Sequence, residues 1–219
     1  MLTLSSYRKA YAGRTILAIP HLALNPGVHW LKGANGSGKT TLFRTLAGLL
    51  PFEGDCLLEN TYSLKKHPVE YRLRVNYGEA EPLYPDFLTA RELINWVAAA
   101  KKAPRQQPDE LIHAFGMNAY AKTPVGTYSS GMLKKTSLVL AFLGQPKLIL
   151  LDEPFITLDE AAVRTVLELM EDGRKRGVGF LLSTHQDVRS AALAVDAQWQ
   201  ISQQTVIPFR HEASAQRSE

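Results

Sequence analysis

Residues 33–40 read Gly33-Ala34-Asn35-Gly36-Ser37-Gly38-Lys39-Thr40 and fit the pattern G-x-x-x-x-G-K-[ST] at every fixed position. Each residue type has a mechanical job. The glycines let the backbone turn tightly, so that successive N–H groups point inward at phosphate oxygens. Lys39 brings a mobile positive charge to the outer phosphates, and the Thr40 hydroxyl is a ligand for Mg²⁺. Asn35, Gly36, Ser37, Gly38, Lys39, Thr40 and Thr41 are therefore the candidate nucleotide-binding residues. The flanks suit the loop. Residues 27–32 read as a short strand entering it, and residues 41–50 as a helix leaving it. That helix carries Leu42, Phe43, Leu46 and Leu49 at helical spacing, with its N-terminus toward the phosphates. Such a loop says that a nucleotide is bound; kinases, GTPases and motors share it.

Three further groups carry chemistry. In Leu148-Ile149-Leu150-Leu151-Asp152-Glu153-Pro154 an apolar strand ends in carboxylates. In open α/β folds, ligands bind at the carboxyl ends of the strands. Asp152 is placed to hold Mg²⁺ through water, and Glu153 to polarise an attacking water as general base. In Tyr128-Ser129-Ser130-Gly131-Met132 a small polar and glycine cluster opens a helix whose free N–H groups and hydroxyls suit an anion, although Ser-Ser-Gly alone is common in loops. In Leu181-Leu182-Ser183-Thr184-His185 a strand ends in a histidine that could hydrogen-bond transferring phosphoryl oxygens. A lone histidine there is more often structural.

The elements that must position these groups alternate between strand and helix. Residues 2–4, 15–19 and 22–24 read as strands with a turn at Gly13-Arg14, and residues 56–59 as another. Residues 68–77 bring the chain back through Arg74-Val75-Asn76-Tyr77. Between about residues 79 and 143 helices and loops take over. Thr89 and Glu92 form a capping box for a helix with Leu93, Trp96, Val97 and Ala100 at helical spacing. Residues 109–115 and 131–143 are two more helices. The pattern then returns to α/β. Residues 147–151 are a buried strand, and 159–175 a helix with Val163, Val166, Leu167 and Met170 on one face. Residues 179–183 are a strand, 187–195 a helix, and 197–208 a last strand or hairpin. Residues 1–209 are expected to be one nucleotide-binding domain, with a helical part at about 79–143; residues 210–219 are a polar tail.

The bulk numbers agree with a folded enzyme domain. The chain has 219 residues and 45% hydrophobic content. The apolar runs at 138–143 and 148–151 are too short to cross a bilayer, and no basic-then-apolar leader is expected. Cys56 is the single cysteine, which excludes an internal disulfide and fits a reducing cytosol. The formal net charge is +4, but the basic residues are scattered in short groups such as Lys65-Lys66 and Arg174-Lys175-Arg176. They read as solvated surface charge, and no nucleic-acid partner is expected.

The phosphate loop, the Ser-Ser-Gly helix start, the strand ending Asp152-Glu153-Pro154 and then Thr184-His185 follow in the order of ATP-binding cassette (ABC) ATPases, which the sequence resembles from residue 2 to about 209. A kinase or GTPase reading leaves the helix start and Thr184-His185 unexplained, and no guanine-reading Asn-Lys-x-Asp is present. The resemblance implies an α/β P-loop NTPase core with a mainly parallel sheet, an N-terminal antiparallel β subdomain and a helical insertion. Ser129, Ser130, Gly131 and Met132 take the place of the family signature, and the variant with tyrosine before and methionine after is similar to that of single-domain exporter subunits. Asp159 falls in the D-loop, and Tyr11 where an aromatic stacks on adenine, a contact worth roughly 1–3 kcal/mol. The family's Mg²⁺-sensing glutamine is missing from residues 77–85; Glu79 is the first candidate to replace it and Glu81 the second.

By the same resemblance the cofactors are ATP and Mg²⁺, and Glu153 and His185 are catalytic. Two copies, or this chain and another cassette subunit, pair head to tail. Each ATP then lies between one subunit's loop and the other's signature. The expected activity is ATP hydrolysis that drives transport through a separate integral membrane permease, with this chain at the cytoplasmic face of the membrane. The alternative is a soluble, non-transport cassette ATPase, such as one of the iron–sulfur assembly type.

Overall fold

The structure is a computed structural model that describes residues 1–183 and 194–209. Two long strands open the chain, β1 (Leu2–Tyr11) and β2 (Arg14–Leu24), paired antiparallel. The sequence reading expected short pieces here. It placed separate strands at 15–19 and 22–24, yet β2 runs through Pro20 and His21 without a break. The reason is position: β2 is an edge strand, so a residue without an N–H forfeits no ladder bond on its open side.

Strand β3 (Val28–Lys32) follows and leads through the glycine loop into helix α1 (Lys39–Leu46). The expected helix at 41–50 is displaced at both ends. Gly38, at φ +104°, serves as N-cap and lets the helix begin at Lys39. Gly48, at φ +73°, closes the turn after it. Leu49, expected on the buried face, is 58% exposed, because the helix has ended before it.

Strands β4 (Glu53–Leu58) and β5 (Tyr62–Ser63) complete a four-stranded antiparallel sheet in the order β2-β1-β4-β5. Helix α2 (Pro68–Arg74) then turns the chain into strand β6 (Val75–Gly78). Three helices come next: α3 (Ala90–Ala100), α4 (Gln107–Ala114) and α5 (Ser130–Phe142). The capping box of α3 is present as expected, with the Thr89 and Glu92 side chains each bonded to the other's backbone N–H. Trp96, expected on the packed face, is instead 75% exposed; α3 buries Ala90, Leu93, Ile94 and Ala98.

Strand β7 (Leu148–Asp152), helix α6 (Glu160–Lys175) and strand β8 (Gly179–Ser183) follow. The expected helix at 187–195 lies almost wholly outside the described residues. The last strands, β9 (Ala197–Ser202) and β10 (Thr205–Pro208), form an antiparallel hairpin. Its turn residues, Gln203 and Gln204, both have positive φ, the geometry of a two-residue hairpin loop.

The second sheet has six strands in the order β10-β9-β3-β8-β7-β6, all parallel except β10. Strands β7 and β8 are buried at every position. Side chains alternate across a strand, so a wholly apolar strand needs cover on both faces. It has both. Leu148, Leu150 and Leu181 pack with β1, β2, β4 and α1 in one apolar cluster. Ile149, Leu151, Phe180 and Leu182 pack with α3, α4, α5 and α6 in another. The sheet is thus clamped, and β3, β8 and β7 present their carboxyl ends side by side.

The antiparallel sheet has one tight crossing. Gly54 of β4 has φ +92°, and a Cβ there would lie 2.2 Å from the Ser6 carbonyl oxygen. The β1–β4 register shifts at this point. Gly54→Ala is expected to lose more than about 2 kcal/mol, because the backbone collision adds to a left-handed penalty of roughly 1–2 kcal/mol. Gly13→Ala, at φ +80° with open space around it, should lose only that penalty. Urea unfolding of both variants checks the difference; equal losses would mean that the crossing yields.

Candidate nucleotide-binding site

The loop at 33–40 and the ends of β7 and β8 meet in one cleft. It holds about 300 Å³ and is lined by Tyr11, Asn35, Gly36, Lys39, Thr40, Thr41, Asp152 and Glu153, among others. The sequence-predicted loop residues and both carboxylates are therefore brought together. The packing explains why Gly38 is needed: its Cβ would lie 3.1–3.3 Å from Ile16 and Leu17 of β2. Helix α1 has no side-chain cap and no acidic residue in its first turn, so its leading N–H groups are available to an anion. The Ser37 hydroxyl is buried and has no hydrogen-bond partner among the described residues. Lys39 is buried beside these groups, and its ammonium donates to the loop's own carbonyls, Gly33 O at 2.7 Å and Ala34 O at 3.1 Å. Burial lowers its pKa, against the opposing pull of Glu153 and Asp152. This donor set fits a polyphosphate.

Asp152 is the centre of the acidic side. Thr40 Oγ1 donates to its Oδ2 at 2.7 Å and Tyr77 OH to the same oxygen at 3.4 Å, while Ser183 Oγ donates to Oδ1. A hydroxyl and a carboxylate at this separation are hard oxygen ligands that fit Mg²⁺, with phosphate and water oxygens completing its shell. Glu153 follows at φ +47°, and its N–H donates to the Ser183 carbonyl and hydroxyl. A left-handed glutamate is a strained conformation of the kind concentrated at working sites.

Tyr11 is at the rim, half exposed, with the Lys9 ammonium 4.6 Å from its ring centroid. The Glu79 carboxylate lies 3.5 Å from Arg44 of α1. Glu81 instead lines an adjoining cleft with Asn35, Thr40 and Glu153. Ser129 caps α5 by accepting from the Met132 N–H at 3.3 Å. Ser129, Ser130, Gly131 and Met132 do not line the cleft that holds the loop. A Cβ on Gly131 would lie 2.7 Å from the Thr157 carbonyl, so the glycine also permits close approach of α5 to the loop after β7. Asp159 caps α6 and is paired with Lys135 of α5 at 2.6 Å, which lowers its pKa. His185 lies outside the described residues.

Sequence reasoning missed Ser183, Tyr77 and Lys134. Ser183 was legible as the last residue of a buried strand. Tyr77 gave no signal, because only the pairing of β6 with β7 puts its hydroxyl near Asp152. Lys134 is 1% exposed, and its ammonium donates to Asp152 O and Glu79 O, both at 2.8 Å. Burial pushes it down to about 8, although Asp152, Glu153 and Glu79 pull the other way. Its signal was a lysine interrupting the apolar face of α5.

A loop that cradles phosphates, beside a strand-end carboxylate bonded to the loop threonine, defines a P-loop nucleotide-binding protein. The comparisons narrow the class. The sequence profile of the ABC transporter family matches residues 20–156. The chain is 35% identical over 165 residues to the cytochrome c biogenesis ATP-binding export protein CcmA of Legionella pneumophila, covering 74% of this chain and 80% of that one. It is 31% identical over 191 residues to the ABC-type transporter ATP-binding protein EcsA of Bacillus subtilis (strain 168), covering 84% and 77%. A solved ATP-binding subunit of an ABC transporter superposes with a TM-score of 0.84 at 26% identity, covering 94% of this chain and 88% of that one. The chain belongs to the ABC transporter family and is an ATP-binding, ATP-hydrolysing subunit of that class.

Lys39→Ala removes the one lysine among the described residues that lines the loop's cleft. Contacts to a charged donor contribute roughly 1.5–3 kcal/mol, so ATP affinity should fall about tenfold to a hundredfold. Titration with a fluorescent ATP analogue checks this, and unchanged affinity would place the phosphates elsewhere.

Proposed function

We propose that this chain works as one half of a cassette dimer that powers a separate membrane-spanning permease. One observation carries the reading. The loop, Thr40, Asp152 and Glu153 share a cleft, while the helix start at residues 129–132 belongs to the same chain but lies outside it. A head-to-tail second subunit, identical or not, would bring its own helix start over this cleft and complete the site. Residues 1–209 act as one ATP-binding domain in this scheme, with residues 79–143 as its helical part.

The chemistry follows from the geometry. The loop N–H groups and Lys39 hold the β- and γ-phosphates, and Tyr11 stacks on the base. Thr40 and Asp152 are the residues that would hold Mg²⁺, which supplies charge neutralisation on the phosphates. Glu153 orients a water for attack at the γ-phosphorus and takes its proton as the bridging P–O bond breaks and ADP leaves. Closure is favoured by ATP because the γ-phosphate contacts both subunits, and hydrolysis removes that contact.

The transport role is supported by the names of the relatives, an export protein and a transporter subunit. It is also supported by the surface. Leu83 and Phe87 are 91% and 78% exposed, and Trp96 lies on the same stretch of chain. No described helix is long and apolar enough to cross a membrane. The subunit would then sit at the cytoplasmic face, held there by its partner.

Glu153→Gln keeps the shape of the side chain but cannot accept the proton. It should accumulate an ATP-bound dimer, seen as a doubled mass in light scattering with Mg²⁺-ATP; a monomer with normal turnover would overturn the scheme. Glu79→Ala should raise the Mg²⁺ concentration needed for turnover, and an unchanged Mg²⁺ dependence would exclude Glu79 from that role. Purification of the tagged chain in mild detergent from its native cell should recover a stoichiometric polytopic membrane protein. Recovery with soluble proteins alone would favour a non-transport cassette.

A further inference from the structure

Helix α5 starts at the residues proposed to meet a second subunit's nucleotide, and along its length it touches this subunit's own site. Lys134 makes that contact. All three N–H donors of its ammonium have carbonyl acceptors: Glu79 O at 2.8 Å, Asp152 O at 2.8 Å and Ala80 O at 3.4 Å. Asp152 and Glu79 lie just past the last residue pair of the β6–β7 ladder, Gly78 with Leu151. The ammonium thus bonds the ends of two neighbouring parallel strands. Ser137, on the same face of α5, accepts from the Glu79 N–H at 2.9 Å. Both backbone polar groups of Glu79 are therefore held by α5, and its carboxylate reaches Arg44 of α1. An apolar side chain at 134 would let the helix slide against the strand ends, whereas a buried ammonium on three carbonyls holds one register.

We propose that Lys134 is a positioning residue that couples the start of α5 to the hydrolytic carboxylates of its own subunit. Contact of residues 129–131 with a second subunit's nucleotide shifts or steadies α5. Through Lys134 that displacement reaches the backbone of Asp152, and so the placing of Glu153 next to it. Each subunit thereby senses at its own site whether it has closed over the other's. The inference rests on the composite-site reading above and adds the path by which the two sites communicate.

The test uses the full chain. Lys134→Met fills similar volume but has no charge and no donor. It should bind a fluorescent ATP analogue within about twofold of the native chain, and in a Glu153→Gln background it should still form the ATP-dependent dimer. With native Glu153 its kcat should fall at least about tenfold, with KM for ATP nearly unchanged. A native kcat would overturn the coupling, as would a loss of kcat, affinity and dimer together in proportion to the folded fraction. If Lys134→Met loses its cooperative thermal transition, Lys134→Gln, which keeps a neutral donor, is held to the same criteria. Absence of an ATP-dependent dimer in the Glu153→Gln parent would overturn the composite-site reading and this inference with it. A dimerising parent beside a Lys134→Met chain of native kcat would overturn only the coupling.

Discussion

Asp152 puts a carboxylate at the end of a strand that is buried on both faces. A charge so placed is costly unless donors surround it. The donors come from three directions: Thr40 from α1, Tyr77 from β6 and Ser183 from β8. Its backbone carbonyl adds a fourth, Lys134 from α5. Meeting the needs of one residue therefore ties together the loop helix, both neighbouring strands and α5. The nucleotide site is what this arrangement leaves at its open side.

The sheet makes that arrangement rigid. Its central strands carry different apolar clusters on their two faces, one shared with the antiparallel sheet and α1, the other with the helices from α3 to α6. A slip of one residue in β7 would exchange the two sets of side chains and move Asp152 off the end of the strand. Position along the strand and chemistry at its tip are thus specified by the same packing. The glycines work alongside it, since Gly38 and Gly131 allow backbone to approach neighbours that a Cβ would strike.

The surface is organised differently from the core. Large apolar side chains stand exposed at Leu83, Phe87 and Trp96, around the start of the helical part. The polar ties run inward from the same region, through Glu79 to Arg44 on one side and to Lys134 and Ser137 on the other.

The sequence by itself determined the class of chemistry, the order of the elements and most of the residues that line the candidate cleft. A phosphate loop and a strand-end carboxylate are local signals, because backbone turn, cap and strand are each set by a few adjacent residues. Periodicity also placed β8 at its observed bounds and α6 and β7 to within one residue. Where it failed, the deciding neighbour was distant in sequence. Residues 20–21 fall between two expected strands because nothing local says that β2 is a single edge strand. Trp96 and Leu49 were read as core because spacing tells which residues share a face, not whether anything covers it. Tyr77 and Lys134 join the site only once β6, β7 and α5 are packed together, since their partners are set by tertiary contact and by no spacing along the chain.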